Sequence, residues 1–256
     1  MKRNTSFVLV LLSLSLTLTG CATQTKNERK RTEDASKIAD INTQIAIAYI
    51  RDGDYELAKK KLESAISADS SHAPAYSALG LLYNQVGEFD EADKYFNQAL
   101  RLDPANSSIL NNYGQVLCQH GQYEKGQKMF LEANENALYA TPEIALNNAG
   151  TCAMSAGDID SAETHFRAAL QRNPRIAASL LQMSIISYDK DLHLPARAYL
   201  QRYLEVASHT PQSLWLGIRI ERVLGDKDAL ASYALQLEKG YPDSEETRLL
   251  LESQAN

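Results

Sequence analysis

The sequence predicts an all-α chain, a superhelical solenoid of six helix-turn-helix repeats closed by a short C-terminal helix. Three observations predict it. A small residue recurs as Ala58, Ala92, Gly126, Ala162, Ala196 and Ala229, at intervals of 34, 34, 36, 34 and 33 residues. Four positions after each stands a large one, Leu62, Phe96, Phe130, Phe166, Leu200 and Tyr233, the spacing of neighbours on one helical face. Breakers keep the same beat: Gly53, Gly87, Gly121 and Gly157 inside the repeats, Pro104, Pro142 and Pro174 between them. Six matches in phase exceed chance, and repeats of this length are units that bury their apolar faces only against neighbours.

The clearest repeat is Ala73 to Asn106. Its first helix carries Tyr76, Leu79, Gly80 and Tyr83 at i, i+3, i+4 and i+7, and Gly87 breaks it. Its second carries Phe89, Ala92, Phe96, Ala99 and Leu100, and Asp103-Pro104 stops it. A mid-helix glycine costs about 1 kcal/mol against alanine, so Gly80 needs a packing reason. Close approach of the two helices supplies one, with Tyr83 and Phe96 filling the flanks. Leu-Gly, Tyr, Ala, Phe and Pro at these offsets match the tetratricopeptide repeat.

Before the repeats, Met1-Lys2-Arg3 is a short basic start and Phe7 to Leu18 is apolar, too short for an ordinary membrane span. Leu18-Thr19-Gly20-Cys21 then resembles the bacterial lipobox, which implies cleavage after residue 20 and a lipid on Cys21. Ala22 stands where an inner-membrane retention signal would have Asp, so the resemblance implies the outer membrane, with the domain in the periplasm. The organisation expected is a signal peptide over 1–20, a lipid-anchored flexible tether over 21–36 and a six-repeat domain over 37–256. The tether is polar, with Lys26, Glu28, Arg29, Lys30, Arg31, Glu33 and Asp34 and no apolar stripe.

The six repeats fall near 39–72, 73–106, 107–142, 143–176, 177–209 and 210–243. In the first, Ile45, Ala46, Tyr49 and Leu62 are expected to pack, Gly53 turns the chain and Asp54 suits a helix N-cap. The third reads Asn111-Asn112-Tyr113-Gly114, and the fourth Asn147-Asn148-Ala149-Gly150. The fifth loses its glycines, placing Met183-Ser184 at the helix crossing and Asp191 in the turn. The sixth is recognised by Leu216-Gly217, Ala229 and Tyr233. Beyond Pro242, a helix bearing Leu249, Leu250 and Leu251 suits a cap on the last apolar face.

Charge narrows function. The chain has 26 basic and 32 acidic side chains, a formal net charge of −6, and it becomes more negative when Lys2 and Arg3 leave with the leader. No basic stripe offers a surface to nucleic acid. The 5 histidines are dispersed, and there is no H-E-x-x-H, C-x-x-C, phosphate loop or G-x-S-x-G. The expectation is a protein without catalytic residues, metal, cofactor or small-molecule substrate. Of 3 cysteines, Cys21 is assigned to lipid, leaving Cys118 and Cys152. They stand on the first helices of adjacent repeats. A disulfide favoured by an oxidising periplasm and a pair of partly buried free thiols both fit that placement.

First helices line the groove of such a solenoid. Transferring groove positions gives Thr43, Gln44, Ile47 and Ile50, then Ser77, Leu81, Asn84 and Gln85. The middle gives Asn111, Asn112, Gln115, Asn147, Asn148 and Thr151; the far end gives Leu181, Ile185, Tyr188, Leu214, Trp215 and Ile218. Paired amides suit a peptide backbone that needs partners, though Asn111 and Asn147 equally suit bonds between helices. Ile47 and Leu81 are expected to be apolar anchors, with Asn112 and Asn148 orienting peptide. Without a ladder of Lys or Arg at these positions, capture of a free C-terminal carboxylate is disfavoured.

The lipobox ending at Cys21, the six repeats with a short tail, the two Asn-Asn motifs and the Cys118 and Cys152 positions together resemble the PilF/PilW family of type IV pilus biogenesis lipoproteins. The resemblance spans essentially the whole mature chain. It implies a pilotin that binds the PilQ-like secretin subunit of the type IV pilus and promotes its outer-membrane localisation and multimerisation. A repeat lipoprotein that adapts cell-wall hydrolases or outer-membrane assembly machinery is the other reading of this fold.

Overall fold

The computed structural model describes residues 30–255, so the leader, Cys21 and the first part of the expected tether lie outside the described residues. Among the described residues there are only helices: α1 (30–52), α2 (Tyr55–Ala68), α3 (Ala73–Gln85), α4 (Phe89–Leu102), α5 (Ser107–Gln119), α6 (Tyr123–Glu135) and α7 (Pro142–Ser155). They continue as α8 (Ile159–Arg172), α9 (Ala177–Asp189), α10 (His193–Leu204), α11 (Pro211–Leu224), α12 (Lys227–Gly240) and α13 (Glu245–Ala255). Twelve of these pair as the six expected repeats. The fold is a tetratricopeptide-repeat solenoid, and its chain divides into two compact units at Ile109/Leu110, inside α5.

α1 begins at residue 30, not at the repeat boundary. Residues 30–36, read from polarity as flexible tether, are therefore helical. Extending a helix already nucleated by packing costs little, and Glu33 and Lys37 stand at the favourable i, i+4 spacing.

The first unit is built on small residues. Ala39 and Ala46 of α1, Ala58, Leu62 and Ala65 of α2, and Ala75, Ala78, Leu79 and Leu82 of α3 form one buried cluster, with Tyr49, Ile50, Tyr83 and Tyr95 packed around it. Ile45, expected inside, is 37% exposed. Asp54 occupies the N-cap of α2, but its side chain accepts no capping bond. The carboxylates that do cap are Asp158, which accepts from Ser161 N, and Asp226, which accepts from Ala229 N.

One volume rule holds at every crossing. Where the first helix carries glycine, the second sets an aromatic ring directly on its backbone. A Cβ added at Gly80 would lie 2.6 Å from the Phe96 ring, at Gly150 2.7 Å from Phe166, and at Gly217 2.9 Å from Tyr233. Phe96 thus fills the space of the missing side chain and not a flank. Where the first helix keeps a side chain, the partner shrinks to leucine: Ala46 with Leu62, and Ser184 with Leu200. The Ser184 hydroxyl is satisfied by donating to Ala196 O at 2.8 Å. Gly80→Ala should therefore cost about 1–3 kcal/mol despite alanine's better helix propensity. Adding Phe96→Leu should recover part of that loss, a positive coupling readable by thermal melts of the two single variants and the double. Additive losses would refute the rule.

In the second unit, Phe166, Leu180, Met183, Ile186, Leu200, Leu216 and Ile220 make the largest cluster. Arg197 of α10 donates through Nε and Nη2 to the Glu221 carboxylate of α11, which is only 3% exposed. A buried carboxylate needs such a partner. α13 closes the array by setting Leu250 against Leu214, Ile218, Ala234 and Leu237.

Glu163 of α8 holds two elements together. It accepts from Arg167 on its own helix and, at 2.8 Å, from Lys190 Nζ at the end of α9. Bonds from Lys190 and then Arg167 hold its carboxyl below the ordinary value of 4.5. A lowered carboxylate contributes stability that is full above its unfolded value and fades as pH falls through the depressed folded one. Glu163→Gln should therefore flatten the loss of stability below about pH 4.5. Parallel acid titrations of the two proteins followed by circular dichroism check this; superimposable curves would count against it.

Candidate functional site

In the first unit, α1 leaves apolar surface uncovered. Ile38, Ile41 and Ile45 are 51%, 57% and 37% exposed and lie at i, i+3 and i+7, one stripe of the helix. Ile47 is 47% exposed and sits about 200° around the helix from Ile45, on a different face. Four exposed isoleucines on one helix exceed the scatter ordinary for a surface. Ile50 is half-buried against the core and Leu81 of α3 is partly exposed. Asn84 is half-buried and has a partner of its own. Thr43 and Ser77, assigned to the groove by position, are interior: both are buried, and Thr43 Oγ1 donates to Ala39 O at 2.8 Å. Ile38 and Ile41 were missed by position transfer, yet their spacing with Ile45 was visible in the chain.

In the second unit the amides lie between first helices. Asn148 Nδ2 of α7 donates to Asn111 Oδ1 of α5 at 3.0 Å. Ser179 Oγ of α9 donates to Asn147 Oδ1 at 2.8 Å. Three of the four asparagines thus spend part of their capacity tying one repeat to the next. Among the described residues the Asn112 side chain forms no hydrogen bond, and the Asn148 bond to Asn111 uses its Nδ2 and not its carbonyl oxygen. Half-burial and the interhelical bonds account for asparagine at Asn111, Asn147 and Asn148, whose short amides reach the next first helix.

Beside this ladder, Cys118 of α5 and Cys152 of α7 are joined, with Cα atoms 5.6 Å apart. Their bridge forms part of a depression of about 180 Å³ lined by Gln115, Gln119, Phe130, Asn148, Thr151 and Ser155. The lining has amides and hydroxyls but no charge, so it offers hydrogen bonds and no ionic clamp. Gln119 and Ser155 were not assigned to the groove from the sequence. They occupy equivalent positions one turn beyond Gln115 and Thr151, and that periodicity was the available signal.

The bridge explains an oddity of the third repeat. Its second helix has Gly126 where four of the other repeats have the same crossing alanine that packs fully buried. A Cβ there would lie 2.2 Å from Cys118 Sγ and 2.8 Å from Gly114 O. The sulfur occupies that space.

At the far end, Leu214 and Ile218, also expected in the groove, are 1% and 0% exposed. α13 covers them, because their positions face the next helix in the stack and α13 takes its place. Trp215 remains partly exposed on the same helix. Among the described residues no group of three or more His, Cys, Asp or Glu is placed to hold a metal ion, and no helix is long and apolar enough to cross a membrane.

Comparison with known proteins fits this geometry. Profiles described as tetratricopeptide repeat match residues 37–105, 95–128, 114–177 and 147–208. The type IV pilus assembly protein PilF of Pseudomonas aeruginosa is 32% identical over 226 residues, which is 88% of this chain and 90% of that protein. A solved structure of Pseudomonas aeruginosa PilF superposes with a TM-score of 0.78 at 30% identity, covering 86% of this chain and 99% of that one. The crystal structure of PilW, described as a widely conserved type IV pilus biogenesis factor, gives 0.73 at 29% identity, with 84% and 98% covered. Likeness of this extent goes beyond a shared repeat, and the chain belongs to the PilF/PilW family of type IV pilus biogenesis factors.

Proposed function

We propose that this chain is an outer-membrane lipoprotein pilotin that binds the secretin subunit of the type IV pilus and promotes its localisation and multimerisation for pilus biogenesis. The observation that carries the reading is the match to PilF along 88% of the chain. The exposed isoleucines of α1 support it, since an apolar face left open on a helix of a repeat protein is what a protein partner would cover. Lipid and protein surface have separate work in this reading. Cys21 supplies membrane affinity, and several acyl chains on one residue anchor far more firmly than one. The repeats supply cargo. Delivering subunits to one membrane raises their local concentration, which is sufficient to favour assembly without chemistry.

The reading is tested by capture with the lipidated protein from detergent-solubilised envelopes. A secretin in the captured fraction supports it; a peptidoglycan hydrolase or an outer-membrane assembly factor, with no secretin, replaces it by the adaptor reading. A companion prediction concerns the anchor. Cys21→Ser should leave the protein in the periplasm or uncleaved at the inner membrane, and wild-type protein should carry acyl mass. Mature wild type lacking that mass, or the variant still fractionating with the outer membrane, would end the lipidation claim.

A further inference from the structure

We propose that the face of α11 carrying Trp215, Arg219 and Arg222 is a second interaction surface, which takes an acidic, extended peptide segment of a partner protein. These residues stand at i, i+4 and i+7, one face of the helix. The Arg219 guanidinium lies 4.2 Å from the ring centre of Tyr188 on α9, and that of Arg222 lies 6.0 Å from the Trp215 ring. Stacking occupies the flat side of a guanidinium and leaves its edge, where the N–H donors are, turned away from the ring.

Those donors are largely unspent. Elsewhere in the second unit, Arg167, Arg197 and Arg248 hydrogen-bond carboxylates of their own or adjacent helices. Arg219 hydrogen-bonds to no described residue, and its nearest carboxylate, Asp189, is 3.9 Å away and 60% exposed. Among the described residues Arg222 makes a single side-chain bond, from Nη2 to Ser253 Oγ of α13 at 3.0 Å. The Trp215 indole N–H likewise bonds to no described residue. The face therefore offers donors and positive charge, and among the described residues Asp189 is the one carboxylate within 4 Å of either guanidinium, on a chain whose net charge is −6. Carboxylates are the complement: they only accept, and they match the guanidinium fork two bonds at a time.

Size and charge select the occupant. Side chains three apart on a helix are about 5–6 Å apart at Cβ. Acidic residues at alternate positions of an extended strand share a face at about 6–7 Å, so two can meet Arg219 and Arg222 together. A long polyanion or an anionic bilayer would instead meet the acidic remainder of the chain. This surface lies in repeats five and six; Tyr188 and Trp215 are among the groove positions named above, but the secretin reading rests on the PilF match and the α1 isoleucines, so the two can fail separately.

Trp215 is the only tryptophan in the chain, so its emission reports on this face directly. Titrating the purified protein with an acetylated, amidated Glu-Val-Glu-Val-Glu peptide should shift that emission saturably, and less at higher salt. The Gln-Val-Gln-Val-Gln counterpart should give no shift. Arg219→Gln with Arg222→Gln should weaken binding about tenfold or more while far-UV circular dichroism and melting stay unchanged. Arg219→Lys, which keeps charge and loses the fork, should fall between. An equal response to the glutamine peptide, undiminished binding by the folded double variant, or a stronger response to phosphatidylglycerol vesicles or a single-stranded oligonucleotide would overturn the proposal. If the double variant unfolds, the salt dependence and the glutamine peptide decide alone.

Discussion

Gly126→Ala should destabilise the second unit by about 2–3 kcal/mol, lowering its melting temperature by roughly 5–10 °C. Elsewhere in a helix this substitution would stabilise by up to about 1 kcal/mol. Here the new methyl carbon would meet Cys118 Sγ at 2.2 Å and Gly114 O at 2.8 Å. The sulfur cannot turn aside while it is bonded to Cys152. The prediction therefore has an internal control: in a Cys118→Ala, Cys152→Ala background the cost of Gly126→Ala should shrink, leaving only the contact with Gly114. Removing the bridge carries its own cost, since a closed loop of 34 residues is worth about 3–4 kcal/mol in the chain-entropy account. Differential melts of the four proteins measure the coupling. A Gly126→Ala protein as stable as wild type would mean that the bridge does not occupy this crossing.

On the pilotin reading, replacing Ile47 and Leu81 together by serine should abolish heat-resistant secretin multimers and surface pili while the protein stays folded and keeps its wild-type location. Ile47 is 47% exposed, so its loss removes little core packing. Leu81 is half-buried and its truncation costs about 1–2 kcal/mol, which the repeat array can absorb. Binding is more sensitive than folding, because a few apolar anchors carry most of an interface's energy. The exposed stripe of Ile38, Ile41 and Ile45 offers a second variant on another face of α1. If that triple variant loses multimers and the Ile47/Leu81 variant keeps them, the partner lies on the stripe. Multimers at wild-type level in both variants would remove the first unit from the binding site altogether.

The repeats were legible because their signal is geometric. Apolar residues at i, i+3 and i+4, glycine at turns and a constant interval are properties of the chain alone, and they placed Ala58, Ala92, Ala162 and Ala196 in the core, where all are fully buried. The pairing of glycine with aromatic and of Ala46 or Ser184 with leucine was present in the letters, but it becomes a rule only once the ring is seen lying on the backbone. The groove was less legible. Helical position says which way a residue points, not what stands opposite. Leu214 and Ile218 point toward a neighbour that turned out to be α13, and Asn148 points at Asn111 as well as outward. Ile45 failed for the related reason that α1 is the first described helix, and no described repeat stands before it to cover that face. Helical extension back to residue 30 was hidden by polarity, because a helix nucleated by packing further along needs no apolar stripe in its exposed first turns.

The pilotin reading predicts one quantity most directly: the amount of heat-resistant secretin multimer in outer-membrane fractions of cells with and without this chain. Loss of the multimer when the chain is deleted, with secretin monomer still made and the multimer restored by re-expression, is the predicted result. Multimers at normal level in the outer membrane of the deletion strain would contradict it.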